Sequence, residues 1–448
     1  MILTIAGVIL SIILILCFVN IKIGTALYLA YALLVPISDI TLGPIHLGDN
    51  FVKFVLLLSL LVDFKFRHKF KLRWKLLVPF IIYAVIELLI IPFQTETPTS
   101  WMLNTWRVFI MQTLFAAFVI YNVLYYYPRS IVYFRRAMLS SIAIAGIYGL
   151  FLTTTNGFNP YINMITLAKG TALDAEAMRS YFTADDRMFG RISSVFTHPM
   201  NFGIFLGLSF IYVFSVRTKI KKKFSIGLLT ILALDSLFCG VRSVIGGLVV
   251  AMAFYLVFSR NLKIGIMTLI IGLIGYNIIS EMPELSDYVG SIADIHNTKS
   301  NVQGSSIELR MKQFDGCLDE TKDSPILGKG FQWHDYYKGK YGDHPVILAF
   351  ESLIFVILCD NGILGFFIWG LLIALIMKNN SKRYFNDKTV LNSLLVFYIT
   401  YACITGDYGY MQYFMIYYIC ICFENLKRKS EPSLLVRKNN NPKYGRRK

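Results

Sequence analysis

Charge is what this 448-residue chain has least of: only 16% of its residues are Asp, Glu, Lys or Arg. A soluble protein of that length needs more polar surface, so a purely globular soluble class is excluded. Acidic residues are the scarcer sign, 27 against 44 basic, which leaves a formal net charge of +17. In a soluble protein such an excess would suggest nucleic acid. Here the basic residues gather in short connections between apolar runs, as a cytoplasmic membrane face requires, and no nucleic-acid partner is expected. Alternating ten-residue segments are missing, which excludes a membrane β-barrel. The seven cysteines show no paired metal spacing and read as small apolar residues, with no disulfide framework. His46, His68, His296 and His334 form no ligand spacing, so no metal site is expected. There is no phosphate-binding glycine loop, no Ser-His-Asp signal and no cofactor fingerprint, and hence no cofactor. Met1 to Asn20 lacks a basic n-region and a small-residue cleavage site, so it reads as a retained helix. Low complexity and fixed-period repeats are absent too.

What is present is apolar length. Hydrophobic residues make up 56% of the chain, and its mean hydropathy is +0.57. At about 20 residues per span, helices are expected near 2–19, 23–40, 51–64, 76–93, 105–127, 137–154, 196–216, 224–240, 243–258, 264–280, 352–377, 388–405 and 408–423. The third is short and carries Lys53, so twelve or thirteen helices are expected. The fold class is all-α: a polytopic integral membrane helix bundle over 1–423, followed by a basic cytoplasmic tail over 424–448. Thirty basic residues lie in one set of alternate connections, from Lys22 to the tail, and thirteen in the other. The positive-inside rule puts the first set in the cytoplasm and the N-terminus outside. Two outer connections are then too long to be turns, near 155–194 and 281–351. A long loop that carries acids and bases, in a chain otherwise made of spans, points to function.

The outer basic residues stand against the rule that places the others, and five arginines among them stand out: Arg107, Arg187, Arg191, Arg242 and Arg310. Arg242 lies between two apolar spans with almost no loop around it. A guanidinium there needs an anion or water. Arginines suit bidentate phosphate recognition, and several together neutralise a pyrophosphate. The bland reading is snorkelling to headgroups, and it suits Arg107, Arg179 and Arg187. Glu351 sits where the long loop enters a helix. It reads equally as a cap of that helix or as a general base at the water–membrane boundary. His344, seven residues earlier in Asp343-His344-Pro345, is the rival base. His198, in Thr197-His198-Pro199-Met200-Asn201, opens a helix and reads as structural. Glu87 and Asp235 lie inside apolar spans, where acids favour a proton-coupled transporter. Gly328-Lys329-Gly330 reads as a turn. A transporter would also show repeated halves and helices broken near mid-membrane, and the sequence shows neither.

Four patterns together resemble one family, the O-antigen polymerases and ligases (Wzy and WaaL types) of bacterial surface polysaccharide assembly. They are Gly190-Arg191 to Gly203; Gly240-Val241-Arg242-Ser243; Ser306 to Arg310 with Ser324 to Gly330; and Glu351 to Gly365, which includes Gly362-x-x-Gly365. The resemblance spans roughly 190 to 365. It implies a metal-independent, GT-C-like membrane glycosyltransferase of the bacterial inner membrane, with its active site on the periplasmic face. Its donor and acceptor would be glycans on undecaprenyl pyrophosphate, with a chain-length regulator and a flippase as partners. Carried over by position, Arg191, Arg242 and Arg310 become the pyrophosphate clamp. One departure matters: many members have a histidine followed by Asn or Ser where this chain has Glu351-Ser352. The spacing to Gly362 favours Glu351 as the base over His344. The expected activity is polymerisation of lipid-linked repeat units. Ligation onto lipid A–core or protein is the first alternative, and sugar transport the second.

Overall fold

The computed structural model describes residues 2–35, 40–42, 45–66, 72–155, 158–168, 191–259, 307–406 and 409–427. Long apolar runs can satisfy their backbone in lipid only as helices, and helices are what most of these residues form. In chain order they are α1 (Ile2–Val19), α2 (Ile21–Leu34), α3 (Asp49–Phe66), α4 (Val78–Ile90) and α5 (Thr99–Phe109). A π-helical segment, Ile110–Phe115, joins α5 to α6 (Ala116–Tyr126), and α7 (Ile131–Leu152) and α8 (Pro160–Ala168) follow. Then come α9 (Pro199–Val216), α10 (Lys222–Phe238), α11 (Arg242–Ser259), α12 (Ile307–Glu320) and α13 (Trp333–Tyr341). The bundle closes with α14 (Leu353–Asn380), α15 (Lys388–Thr405) and α16 (Tyr410–Glu424). The one sheet among the described residues is a short antiparallel hairpin, β1 (Ile40–Leu42) with β2 (Ile45–Leu47), in which Thr41 faces His46.

The chain is an all-α polytopic membrane protein. Among the described residues, six helical stretches are long and apolar enough to cross a membrane: 99–126, 128–155, 199–216, 242–259, 353–380 and 388–405. Three shorter apolar helices, Leu3–Val19, Ile21–Leu34 and Val78–Phe93, stand with them. Twelve of the thirteen expected spans contain a helix; the thirteenth, 264–280, lies outside the described residues. The centre is built around α9 and α16. Phe202, Phe205, Tyr212, Tyr417 and Tyr418 are fully buried there, and the Ser209 and Tyr417 hydroxyls are hydrogen-bonded at 2.6 Å. At the basic end, the buried carboxylate of Glu424 closes α16. It takes a bidentate pair from Arg135 at 2.8 and 2.8 Å and a further bond from Lys219 at 2.9 Å. Three elements are tied at that end by a paired, charge-assisted contact.

The long connection is not structureless. Its described part, 307–352, holds α12 and α13, while 281–306 lies outside the described residues. In the other long connection, α8 occupies 160–168. A broken helix is present: α14 loses helical geometry at Gly362 (φ 59°, ψ −151°). Ile363–Asn380, the part beyond the break, has 18 residues, about 27 Å of helix. That approaches the ~30 Å thickness of a hydrocarbon core, so the break belongs at the loop-side boundary, not in the middle of the span.

Candidate active site at the loop end of the bundle

The break in α14 frees backbone groups, and the stretch read as a turn satisfies them. Lys329 N–H donates to Cys359 O at 2.8 Å and Gly330 N–H to Asp360 O at 2.9 Å. In return, Ile363 N–H donates to Pro325 O at 2.9 Å and Leu364 N–H to Ile326 O at 3.0 Å. Such closeness leaves no room for side chains. A Cβ on Gly328 would stand 2.5 Å from the amide nitrogens of Asn361 and Gly362. The loop is thereby docked backbone to backbone on the bundle.

Buried side chains lock the joint. The Gln94 amide group donates to Leu327 O, Asp360 O and the Asn361 side-chain carbonyl at 2.8 to 3.1 Å, and its oxygen accepts from Phe331 N–H at 3.0 Å. Asn361 in turn donates to both carboxylate oxygens of Glu87 at 3.0 and 3.1 Å. Asp360 accepts the His334 backbone N–H at 3.0 Å and meets His334 Nδ1 at 2.8 Å. Asp360 and His334 are each 4% exposed. Glu87, read from sequence as a possible proton carrier, is one member of this polar joint.

Glu320 organises the loop interior. It receives Lys329 Nζ at 2.7 Å and lies 3.2 Å from His344 Nε2. His344 Nδ1 accepts from the N–H groups of Val346 and Ile347 at 3.1 and 3.0 Å. Both ring nitrogens are therefore engaged in the fold of the loop. Burial raises the Glu320 carboxyl pKa, but the Lys329 and His344 contacts outweigh it and hold the group below its ordinary value. A depressed carboxylate stabilises the fold above its unfolded pKa, about 4.3, and the contribution is lost as pH falls through the lower folded value. Trp333, with Lys329 Nζ 5.2 Å from its ring, reports on this region. Wild-type tryptophan fluorescence is expected to change as pH falls below about 4, and the Glu320→Gln variant is expected to show that altered signal already at neutral pH.

Arg310, on α12, reaches the bundle directly. It donates to Glu351 O and to Ile404 O, each at 3.0 Å. Burial lowers its pKa and the Glu351 charge raises it, with burial the larger effect. Glu351 is half-buried, and among the described residues its carboxylate makes no hydrogen bond. The cap of α14 comes from the next residue: Ser352 Oγ accepts Ile354 N–H at 3.2 Å while donating to Cys403 O at 2.7 Å. The loop entry is thus tied to the end of α15, and Glu351 is left over from capping. Of the two readings of Glu351, the helix cap belongs to its neighbour.

Arg191 packs on Gly240, where a Cβ would come 2.9 Å from its Cγ, and Gly240 takes the left-handed φ of +64° that glycine tolerates. The Arg191 Nε is buried and has no hydrogen-bond partner among the described residues. Arg242 opens α11, half-buried. Gly247 of α11 lies against Phe397 of α15 and Val244 is at the level of Tyr401, so the start of α11 runs towards the end of α15. The structure therefore puts Arg310 in contact with the Glu351 carbonyl, and Arg191 against Gly240, two residues before Arg242. His344 stands apart, in the loop's own interior.

His198 caps α9, its Nδ1 accepting Met200 N–H at 3.1 Å. Burial first, then the charges of Arg191 and Lys338, pull its pKa down to about 4. The imidazole is neutral at pH 7. A depressed histidine stabilises the fold above its unfolded pKa of about 6.5, and the contribution is lost on acidification towards 4. His198→Asn preserves a capping acceptor and is expected to be nearly neutral, whereas His198→Leu is expected to cost about 1 kcal/mol. Thermal unfolding at pH 7 and pH 5 measures both: the gap between wild type and His198→Leu should narrow at the lower pH.

A cavity of about 300 Å3 opens between α13, the first half of α14 and the start of α16. Its walls mix aromatic rings (Tyr83, Phe331, Trp369) with polar groups (Gln332, Asp335, Asp360), and Leu353, two residues past Glu351, forms part of one side. Sequence reasoning missed His334, Asp360 and Gln94. They come from three elements, and no spacing signals their meeting; only Asp360-Asn361-Gly362, a polar break in an apolar run, carried a hint. Among the described residues no cluster of His, Cys, Asp and Glu forms a metal site. Residues 226–370, about a third of the chain, match the family model described as O-antigen ligase. No curated protein matches the chain.

Proposed function

We propose that the chain, whose residues 226–370 match the family model described as O-antigen ligase, is a membrane glycosyltransferase of the O-antigen polymerase/ligase type and polymerises undecaprenyl-pyrophosphate-linked repeat units. The reaction would take place at the periplasmic face of the bacterial inner membrane, without a metal. The observation that carries this reading is the bond from Arg310 to the Glu351 carbonyl at the loop entry, with Leu353, two residues on, lining an aromatic and polar cavity. Arg191, Arg242 and Arg310 bind the diphosphate of the donor. Their charges are fixed at a low-dielectric boundary, where they stabilise the negative charge that grows on the leaving group. Glu351 accepts the proton of the acceptor hydroxyl as its oxygen attacks the anomeric carbon. The bond from that carbon to the diphosphate oxygen breaks, and undecaprenyl pyrophosphate leaves. Attack opposite the leaving group inverts the centre. The docked loop orders the glycan and restricts competing water.

The description of the family model favours a second reading, ligation onto lipid A–core or protein. Purified protein in lipid nanodiscs, given lipid-linked repeat units alone, separates the two. A ladder of extended glycan is expected. Product that forms only when a different acceptor is added would replace polymerase by ligase. Transport is disfavoured by the position of the break in α14, near the boundary and bonded to the loop.

A further inference from the structure

A second cavity, of about 270 Å3, lies among α1, α2, α3, α6, α9 and α16. Gln112 of the π-helical segment and Gln412 of α16 line both this cavity and the one that Leu353 lines. The charges in the two are segregated. Among the described residues, the second cavity is lined by one cation, Lys53, and by no carboxylate; the first is lined by Asp335 and Asp360 and by no cation. Lys53 is 5% exposed, and Asp49 opens the same helix one turn earlier. Thr197 and Asn201, at the start of α9, add a hydroxyl and an amide to the basic cavity. A buried lysine is costly, and one that lines a polar cavity marks a place where an anion is received. Single-turn π segments inside α-helices occur often at functional sites, and this one carries the shared Gln112.

We infer that the two cavities form one elongated site for the second, accepting lipid-linked sugar, with its diphosphate at Lys53 and its sugars running past Gln112 and Gln412 to Glu351. An ammonium with hydroxyl and amide donors recognises phosphate, whereas acids, amides and aromatic rings recognise the hydroxyls and faces of sugars. The inference rests on the transferase reading, and it assigns the accepting substrate to residues separate from the arginine clamp.

Undecaprenyl diphosphate titrated onto the full chain in phosphatidylcholine nanodiscs, with bound equivalents counted by native mass spectrometry, tests it. Wild type and Lys53→Arg are expected to hold two equivalents per chain. Lys53→Met is expected to hold one, and so is Asn201→Leu, which fills the cavity while keeping the lysine. Arg310→Ala is expected to lose the other equivalent. Two equivalents retained in both Lys53→Met and Asn201→Leu would overturn the inference. So would a single wild-type equivalent abolished by Arg310→Ala, which would leave the transferase reading standing. No binding to wild type would remove both. Free pyrophosphate as competitor names the source: displacement of the Lys53-dependent equivalent assigns recognition to the phosphates alone, and resistance assigns it to the lipid-borne form; either upholds the phosphate site.

Discussion

Arg310→Ala is expected to lower glycan transfer by about 10²- to 10³-fold, the usual cost of removing one fixed stabiliser of a developing negative charge. The same change removes two hydrogen bonds, to Glu351 O and Ile404 O, so the loop entry loses its tie to α15. Arg310→Lys separates the two effects. It keeps the charge, but a single ammonium cannot reproduce a fork that spans two carbonyls. Glu351→Gln leaves the backbone carbonyl in place and removes only the base. Its expected loss is about 10²- to 10⁴-fold, with Arg310 still anchored and the protein still inserted. Single-turnover transfer in nanodiscs, alongside size-exclusion profiles, measures both. Normal ladders from Glu351→Gln would eliminate that carboxylate as the base. His344 would be a poor replacement, because both its ring nitrogens are occupied.

The largest expected effect on folding comes from Gly362→Ala. Its backbone, at φ 59° and ψ −151°, lies in a region that is essentially reserved for glycine. An added Cβ would also stand 2.5 Å from Pro325 O. Strain and collision together should cost on the order of 3 kcal/mol or more. The damage would spread, because the carbonyls and amides exposed by the break depend on the Pro325–Gly330 stretch lying close. Gly370→Ala is the control: the same helix, with nothing within 4 Å of its added methyl, and a stability equal to or above wild type. Thermal unfolding of the three proteins in one detergent decides. Equal midpoints for Gly362→Ala and wild type would mean that the loop is not held at this joint.

Helix positions were largely legible from the sequence because apolar length and lipid leave the backbone one solution. The same holds for the basic connections, whose Arg135 and Lys219 meet at one end through Glu424. Arg310 and Glu351 were legible as candidates because each is polar at the edge of an apolar span. Their contact was not, since 41 residues separate them. Gly328-Lys329-Gly330 was legible only as a turn, for a related reason. Alone it has the composition of a turn; its role lies in hydrogen bonds to Cys359 and Asp360, thirty residues on. His334 was set aside for lack of ligand spacing, yet it meets Asp360 across 26 residues.

By itself the sequence determined the solvent of this protein. Too few charges and repeated apolar runs commit it to a membrane, and the distribution of basic residues sorts its connections into two sets. Tertiary structure decided which polar groups share a place: the broken helix, the docked loop, the arginine on the Glu351 carbonyl and the two cavities that share Gln112 and Gln412. Hydropathy is a local property summed along the chain, whereas a buried hydrogen bond exists only where separate segments are brought within about 3 Å.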